Sequence, residues 1–562
     1  MRREVSVVNK KVCSFPILFA LLALLIGACA VVFPASAQAA PTSTGSITVS
    51  GTVASSYDAY QIFSANVVDG DSDAKIATDL AWASDAVRDA ALPVLHSAGM
   101  PNSQTTAQEA AEWLNTDSHL TSALSAQLAR SLQSSGAEPV ALNAGTTAEL
   151  PCGYWLIVAK DDAIAQGEAG TAPIIALVGG NAVTVKPKAA TPKVQKHVLE
   201  DSTAAWQKAA DATVADDLYW RLSATVPAGL TAYDTYAVRF VDTMGAGLDP
   251  SKVAASMRVY VAAGTDGGFD AVSADKDGRV GTEPAKGWTD ITAQCATKIA
   301  ADGTFTVRTG DLIAALGGAD AFTAGARVVA VYNAPLNSAC NHGIAKGNPN
   351  EVYLRYPRSP FADQSGDAGF TRTPSDDACA YTWDLALTKR GSDGDKPLAG
   401  AVLSIADDRG RTLAADGTWD AQGKATVTTG EDGRVTVSGV DSGKLEVREL
   451  KAPKGYTAFE GTRSVTVKAE GLDVDQVAAA KPKLTITAES PLRADSADGS
   501  TGSLEASLIN APTGTPPSIT TGGFMPSTGD MAMYAAAAAA VAGAALIVVA
   551  LLVKRGGGSH KE

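Results

Sequence analysis

A mainly β protein built of three tandem sandwich domains is what this sequence predicts. Three observations carry that expectation. Short runs alternate apolar and polar residues, Gly- and Asp-rich turns separate them, and aromatic residues make up only 6% of the chain. Alternation with a period of two puts one face of a strand into a core. Many short strands between such turns describe β-sandwiches better than one large enzyme core.

Both ends of the chain are set aside from the fold. Arg2, Arg3, Lys10 and Lys11 precede an apolar run from Phe15 to Phe33, and Pro34-Ala35-Ser36-Ala37-Gln38-Ala39 closes it. A basic start, an apolar middle and a small-x-small exit form a secretory signal peptide, residues 1–39, with cleavage after Ala37 or Ala39. Ile26-Gly27-Ala28-Cys29 offers the rival reading of a lipoprotein signal, but the apolar run continues past Cys29 to an ordinary cleavage site. At the other end, Met531 to Val553 is apolar for about the 20 residues that cross a bilayer as a helix. Lys554, Arg555 and Lys561 follow, in a tail (554–562) expected on the cytoplasmic side. Directly before the span stands Met525-Pro526-Ser527-Thr528-Gly529, which resembles the LPxTG sorting signal with Met in place of Leu. Proline bends the extended peptide, and glycine leaves the Thr528–Gly529 amide open to a cysteine nucleophile. The resemblance implies a sortase substrate that is secreted and joined to peptidoglycan.

Between the two signals the chain is long enough for about three domains of ~150 residues. The formal charge is −14 and no long basic run occurs, which argues against nucleic acid as a partner. Five scattered histidines and no Cys-x-x-Cys spacing give no metal site, and no cofactor motif occurs. Of six cysteines, Cys13 and Cys29 fall in the signal peptide. Cys152, Cys295, Cys340 and Cys379 remain in an oxidising location. Four cysteines allow three pairings, and Cys295 with Cys340, inside one expected domain, is the first choice; Cys152 with Cys379 would have to bridge domains.

The first domain (40–188) opens on the alternating strand Gly45 to Gly51. Between Thr105 and Leu132 the pattern turns helical, with Thr106 and Glu109 at capping-box spacing, so this domain is expected to be α+β with helical insertions. Strands return at Tyr154–Ala159 and Ile174–Val178. Prolines 187 and 192 with small residues between them mark a joint. The middle domain (189–370) carries strand patterns at Leu218–Leu222, Tyr236–Val241 and Val352–Tyr356. A polar connection from Phe361 to Asp377 leads to the third domain (380–512), whose Gly430-Glu431-Asp432-Gly433 turn precedes Arg434-Val435-Thr436-Val437. Residues 513–530 hold a Thr/Pro/Gly-rich spacer and the sorting signal.

Within the third domain, Leu445-Glu446-Val447-Arg448-Glu449-Leu450-Lys451-Ala452-Pro453-Lys454-Gly455-Tyr456 resembles the E-box of Gram-positive pilins. Leu385 to Lys389, and Leu398 to Leu403, resemble the opening of collagen-adhesin B-type domains, and Leu504 to Asn510 their closing strand. The whole is similar to a major, or shaft, subunit of sortase-assembled fimbriae, which implies immunoglobulin-like sandwiches of the collagen-adhesin type. In that family a first-strand Lys and a last-strand Asn condense into an intramolecular isopeptide bond beside an acid. Lys389, Asn510 and Glu449 occupy the matching positions. In the middle domain Lys196 and Asp242 match; the expected terminal Asn is absent at Tyr356-Pro357-Arg358-Ser359-Pro360, and Asn350, before the same strand, is the nearest substitute. Val183-Thr184-Val185-Lys186-Pro187-Lys188 resembles the pilin motif with Lys186 in place of Tyr. By that match Lys188 accepts Thr528 of another copy, with Lys186 and Lys193 as alternatives.

The resemblance therefore implies a structural subunit, not an enzyme, found in a fimbrium on a Gram-positive surface. Its implied partners are a sortase, other copies of itself, peptidoglycan, accessory pilins and a host surface. The competing reading keeps the sorting signal but not the lysine, as a monomeric wall-anchored adhesin. An anchored hydrolase has no supporting catalytic constellation.

Overall fold

The computed structural model describes residues 43–70, 74–116, 118–170, 172–187 and 191–514. The signal peptide, Lys188, the sorting signal and the apolar run 531–553 lie outside them. Among the described residues no helix is long and apolar enough to cross a membrane.

The N-terminal part stacks three layers. A five-stranded sheet runs Lys75–Trp82, Ser56–Asp69, Gly153–Ala159 and Ile174–Val178, with Val140–Asn143 beside Ser56–Asp69. Strand Gly153–Ala159 shows why it faces two cores. Trp155 and Ile157 pack with Ile47, Val49 and Tyr57 of one cluster, and Leu156 and Val158 pack with Leu95, Leu128 and Leu132 of the other. Successive side chains of a strand point to opposite faces, so this continuous apolar run serves both. A three-stranded sheet, Thr147–Pro151, Thr44–Val49 and Val183–Val185, covers the first face. Helices Asp85–Ser97, Ala107–Leu114 and Ser122–Ser134 cover the second. Thr106 and Glu109 form the expected capping box. Helix Asp85–Ser97 lies outside the stretch that reads as helical, because Pro93 stands inside it; Ser84 caps it by accepting from Val87 N.

The middle part is a sandwich. Its six-stranded sheet is ordered Ala205–Gln207, Lys193–Glu200, Tyr219–Val226, Ala326–Asn333, Arg258–Ala263, Thr289–Asp290. The facing seven-stranded sheet runs Ala209–Asp211, Asp376–Tyr381, Asn348–Pro357, Arg239–Met244, Thr304–Arg308, Ala296–Ile299, with Phe370–Arg372 on Asn348–Pro357. Trp220, Val261, Val328, Phe240, Phe305 and Leu354 fill the space between. The stretch expected as a mere connection thus contributes two strands, Phe370–Arg372 and Asp376–Tyr381. Strand Asp376–Tyr381 also sends Cys379 and Tyr381 into the next core.

The C-terminal part pairs a four-stranded sheet, Arg434–Val440, Trp383–Gly391, Ser503–Asn510, Leu492–Asp498, with a seven-stranded one built around Val402–Ala406, Gly443–Lys451 and Thr462–Glu470. The Asp432-Gly433 turn needs its glycine. Gly433 has φ +73°, and a Cβ there would stand 2.8 Å from Leu398 N.

The cysteine pairing is corrected: all four described cysteines are free thiols. The Cys295 thiol turns to its own backbone, donating to Ile291 O at 3.3 Å, while Cys340 Sγ lies 3.6 Å from His342 Nε2. Residence in one sandwich did not bring the two sulfurs together.

At the junction of the middle and C-terminal parts, carboxylates gather. Asp211 accepts from Trp383 Nε1 at 2.6 Å and Ser442 N at 2.9 Å, and Glu200 accepts from Asp211 N at 3.2 Å. Arg409 pairs with Asp201 and Asp216, and Arg411 with Asp216. Burial and the neighbouring Asp211 charge push Glu200 up to about 8 from 4.5. Burial likewise holds Asp441 well above the usual carboxylate range. An acid whose folded pKa is raised keeps its proton where the unfolded chain has lost it. Its stabilising effect is complete below the unfolded value of about 4.5 and is lost as pH rises through about 8. Melting temperature is therefore expected to fall between pH 5 and 8, and Glu200→Gln to flatten that slope in a pH series of thermal melts.

Candidate functional site

In the C-terminal part three strands each deliver their last inward residue to one end of the core. Along Trp383–Gly391 the inward side chains are Leu385, Leu387 and Lys389. Along Gly443–Lys451 they are Leu445, Val447 and Glu449, and along Ser503–Asn510 they are Leu504, Ala506, Leu508 and Asn510. The first and last of these strands pair in parallel, with Lys389 opposite Leu508 and Gly391 opposite Asn510. Lys389 and Asn510 therefore share one face two positions apart, and Glu449 reaches them from the facing sheet.

The contacts are close. Lys389 Nζ lies 3.5 Å from Glu449 Oε1 with both side chains fully buried, and donates to Leu508 O at 3.3 Å. Asn510 Nδ2 donates to the two Glu449 oxygens at 2.9 and 3.0 Å, and Phe459 N donates to Oε2 at 3.1 Å. Asn510 Oδ1 is buried without a partner. Burial, set against the opposing pull of Glu449, lowers Lys389 to about 8. The Ala-Pro-x-Gly-Tyr segment closes this end: Tyr456 bridges to Pro512 and its hydroxyl donates to Asp393 at 2.8 Å.

A second cluster lies in the middle sandwich. Lys196 stands between Val194 and Val198 on the inward face of Lys193–Glu200. On the opposite sheet Asp242 pairs with Val352 and Met244 with Asn350, which puts Asp242 and Asn350 on one face. Asn350 is the third residue of strand Asn348–Pro357, not a residue preceding it. Lys196 Nζ is bonded to Asp242 and lies 2.9 Å from the Tyr332 hydroxyl. That hydroxyl donates to Asp242 at 2.9 Å and accepts from Asn350 Nδ2 at 2.8 Å. Lys196, Asp242 and Asn350 are all 0% exposed. Burial lowers the Lys196 amine and raises the Asp242 carboxyl, outweighing their mutual attraction, so both shifts favour the neutral pair. Tyr332, absent from the sequence reading, links all three.

The two clusters share a composition: an amine, a carboxyl and a carboxamide buried in a core. Asp242 Oδ1 and Asn350 Oδ1, like Asn510 Oδ1, have no hydrogen-bond partner, and a buried unsatisfied polar atom costs about 1–3 kcal/mol. An amine made neutral by burial is a nucleophile, and a neutral carboxyl can polarise a carboxamide. Of the lysines proposed for cross-linking between copies, Lys186 and Lys193 are exposed on either side of the joint. Lys188, Thr528 and residues 525–529 fall outside the described residues.

Residues 384–481 match the SpaA family, described as a prealbumin-like fold domain. This segment is similar to a SpaA prealbumin-like domain. Lys389 and Glu449 lie inside the matched SpaA segment and Asn510 follows it. A curated relative, the trypsin-resistant surface T6 protein of Streptococcus pyogenes serotype M6, is 30% identical over 143 residues. The match covers 24% of this chain and 24% of that protein. Among solved structures, the T6 backbone pilin of serotype M6 Streptococcus pyogenes aligns at 17% identity and TM-score 0.44, over 84% of this chain and 98% of that one. The full-length major pilin SpaD of Corynebacterium diphtheriae aligns at 15% and 0.40, over 84% and 98%.

Proposed function

We propose that this chain is the shaft subunit of a sortase-assembled surface fibre, with its sandwiches closed by internal lysine–asparagine isopeptide bonds. The observation that carries this reading is the pair of buried amine–carboxyl–carboxamide clusters, one in each of two successive sandwiches. A half-turn of the Asn510 carboxamide exchanges Nδ2 for Oδ1, and transfer of a proton from Lys389 Nζ to Glu449 leaves a neutral amine and a carboxyl that donates to Oδ1. Neutral Lys389 Nζ attacks the polarised carbon and an Nζ–Cγ bond forms. Glu449 gives a proton to the departing nitrogen and takes one from Nζ in its place, the old C–N bond breaks, and ammonia leaves. Lys196, Asp242 and Asn350 follow the same course, with Tyr332 relaying protons between them.

The mechanical consequence follows from topology. Lys389 and Asn510 sit on the first and last strands of the C-terminal sandwich, so a bond between them carries tension past the roughly 120 residues in between. Lys196 and Asn350 belong to facing sheets, and a bond there staples the middle sandwich across its core. The N-terminal part, the middle sandwich with its strand Asp376–Tyr381, and the C-terminal sandwich would then be successive load-bearing links. Between copies, Thr528 of one subunit is joined to Lys188 of another, and the last subunit to peptidoglycan.

Immunoblots of wall extracts boiled in detergent test the polymer. Wild type is expected to give a high-mass ladder and Lys188→Ala only monomer. An intact ladder in Lys188→Ala would move the acceptor to Lys186 or Lys193. No ladder in wild type would leave a monomeric wall-anchored adhesin.

A further inference from the structure

A cleft of about 330 Å³ opens at the joint between the N-terminal and middle parts. Ile164 and Gln166 form one wall; Arg355, Arg358, Phe370 and Arg372 are among the residues of the other. Three guanidiniums and no carboxylate line it, in a chain of formal charge −14.

The three arginines are not equivalent. Arg355 is committed, with Nη1 3.2 Å from Asp367 and Nη2 donating to Asp367 O at 2.9 Å. Arg358 donates Nη1 to Asp161 O at 3.2 Å, while its Nε is buried with no partner. Arg372 is exposed and lies over the Tyr353 ring, 5.1 Å from its centroid. Neither Arg358 nor Arg372 forms an ion pair among the described residues. Unpaired positive charge in an otherwise acidic chain is the electrostatic complement of an anion. Guanidinium forks match a planar carboxylate with two parallel hydrogen bonds. The cleft's volume falls in the range of small-ligand sites, which favour interfaces between domains. The Gln166 amide offers both a donor and an acceptor for hydroxyls.

We infer that this cleft binds the carboxylate of an acidic sugar, with Arg358 and Arg372 as the anion-binding pair. A ligand held there touches both walls of the joint and so braces the N-terminal part against the middle one. The choice of a saccharide over a free anion rests on the proposed surface location. The binding measurement does not depend on polymerisation, so the immunoblot ladders and the sugar can fail independently.

The test is saturation-transfer NMR and calorimetry on the full chain with N-acetylneuraminic acid, galactose 6-sulfate and galactose. N-acetylneuraminic acid is expected to bind and galactose not to. Arg372→Gln should weaken binding about tenfold and Arg372→Lys less, because lysine keeps the charge and loses the fork. Arg372 is exposed and belongs to no core cluster, so melting of Arg372→Gln without sugar should match wild type. Binding that is absent, is unchanged in Arg372→Gln, or prefers the sulfate ester over the carboxylate would overturn the inference.

Discussion

Glu449→Ala is expected to remove one cross-link, raising the measured mass relative to its calculated cross-linked value by one ammonia, about 17 Da, and to cost the C-terminal sandwich more stability than any other single change. Two effects add. Without the acid, Asn510 Oδ1 has no proton donor and the carboxamide carbon stays unreactive. The loop between Lys389 and Asn510, about 120 residues, is then open, which by analogy with disulfide closure forfeits about 5 kcal/mol. In addition Lys389 loses the carboxyl 3.5 Å away, and removing one partner of a buried pair costs about 3–5 kcal/mol. For a domain of this size even the first effect corresponds to a fall in melting temperature of about 15 °C or more. Asn510→Ala separates the two, because it abolishes the bond and keeps the Lys389–Glu449 pair. It should show the same mass change with a smaller drop in calorimetric melting temperature. If wild type already has the uncondensed mass, the cross-link does not exist and the clusters are merely buried ion pairs.

Much of this was legible in the sequence because period-two strands announce their inward face. Leu385-x-Leu387-x-Lys389, Leu445-x-Val447-x-Glu449 and Leu504-x-Ala506-x-Leu508-x-Asn510 each continue an apolar stripe with a polar residue, and that is where the three meet. Asp242 was readable in the same way after Phe240. Asn350 was harder to place. Asn348-Pro349-Asn350 has turn composition, yet Met244 pairs with Asn350 and draws it into the sheet. Tyr332 carried no signal at all, since a tyrosine ending the apolar run from Val328 reads as packing and its ring does pack edge-on to Phe305 at 4.8 Å. The cysteine pairing failed because sequence separation says nothing about the direction of a thiol. The arginines of the cleft come together because Asn348–Pro357 pairs with Phe370–Arg372, setting Arg355 opposite Arg372 with Arg358 just beyond the strand end, and that pairing was hidden in a stretch that reads as a connection.

Tyr332 sets up the second large effect. Asp242→Asn is expected to leave the middle sandwich without its cross-link, with the mass again about 17 Da above the condensed value. The substituted amide is nearly isosteric but cannot act as the acid, and it leaves Lys196, 0% exposed, without a carboxyl. With a loop of about 150 residues between Lys196 and Asn350 left open, the loss should again reach about 5 kcal/mol. Tyr332→Phe is the sharper variant. It keeps the ring against Phe305 and the Lys196 and Asp242 side chains, and removes only the hydroxyl that touches the amine, the acid and the carboxamide. If that hydroxyl relays protons, the bond still forms but slowly, so freshly folded protein starts at the uncondensed mass and loses ammonia over time. If it only packs, Tyr332→Phe reaches the condensed mass as fast as wild type. Time-resolved intact-mass measurement after refolding distinguishes the two. The loop-closure stabilisation should appear in step with the mass change, because in this sandwich the bond joins facing sheets and no hydrogen-bonded strand pair between Lys193–Glu200 and Asn348–Pro357 exists to substitute for it.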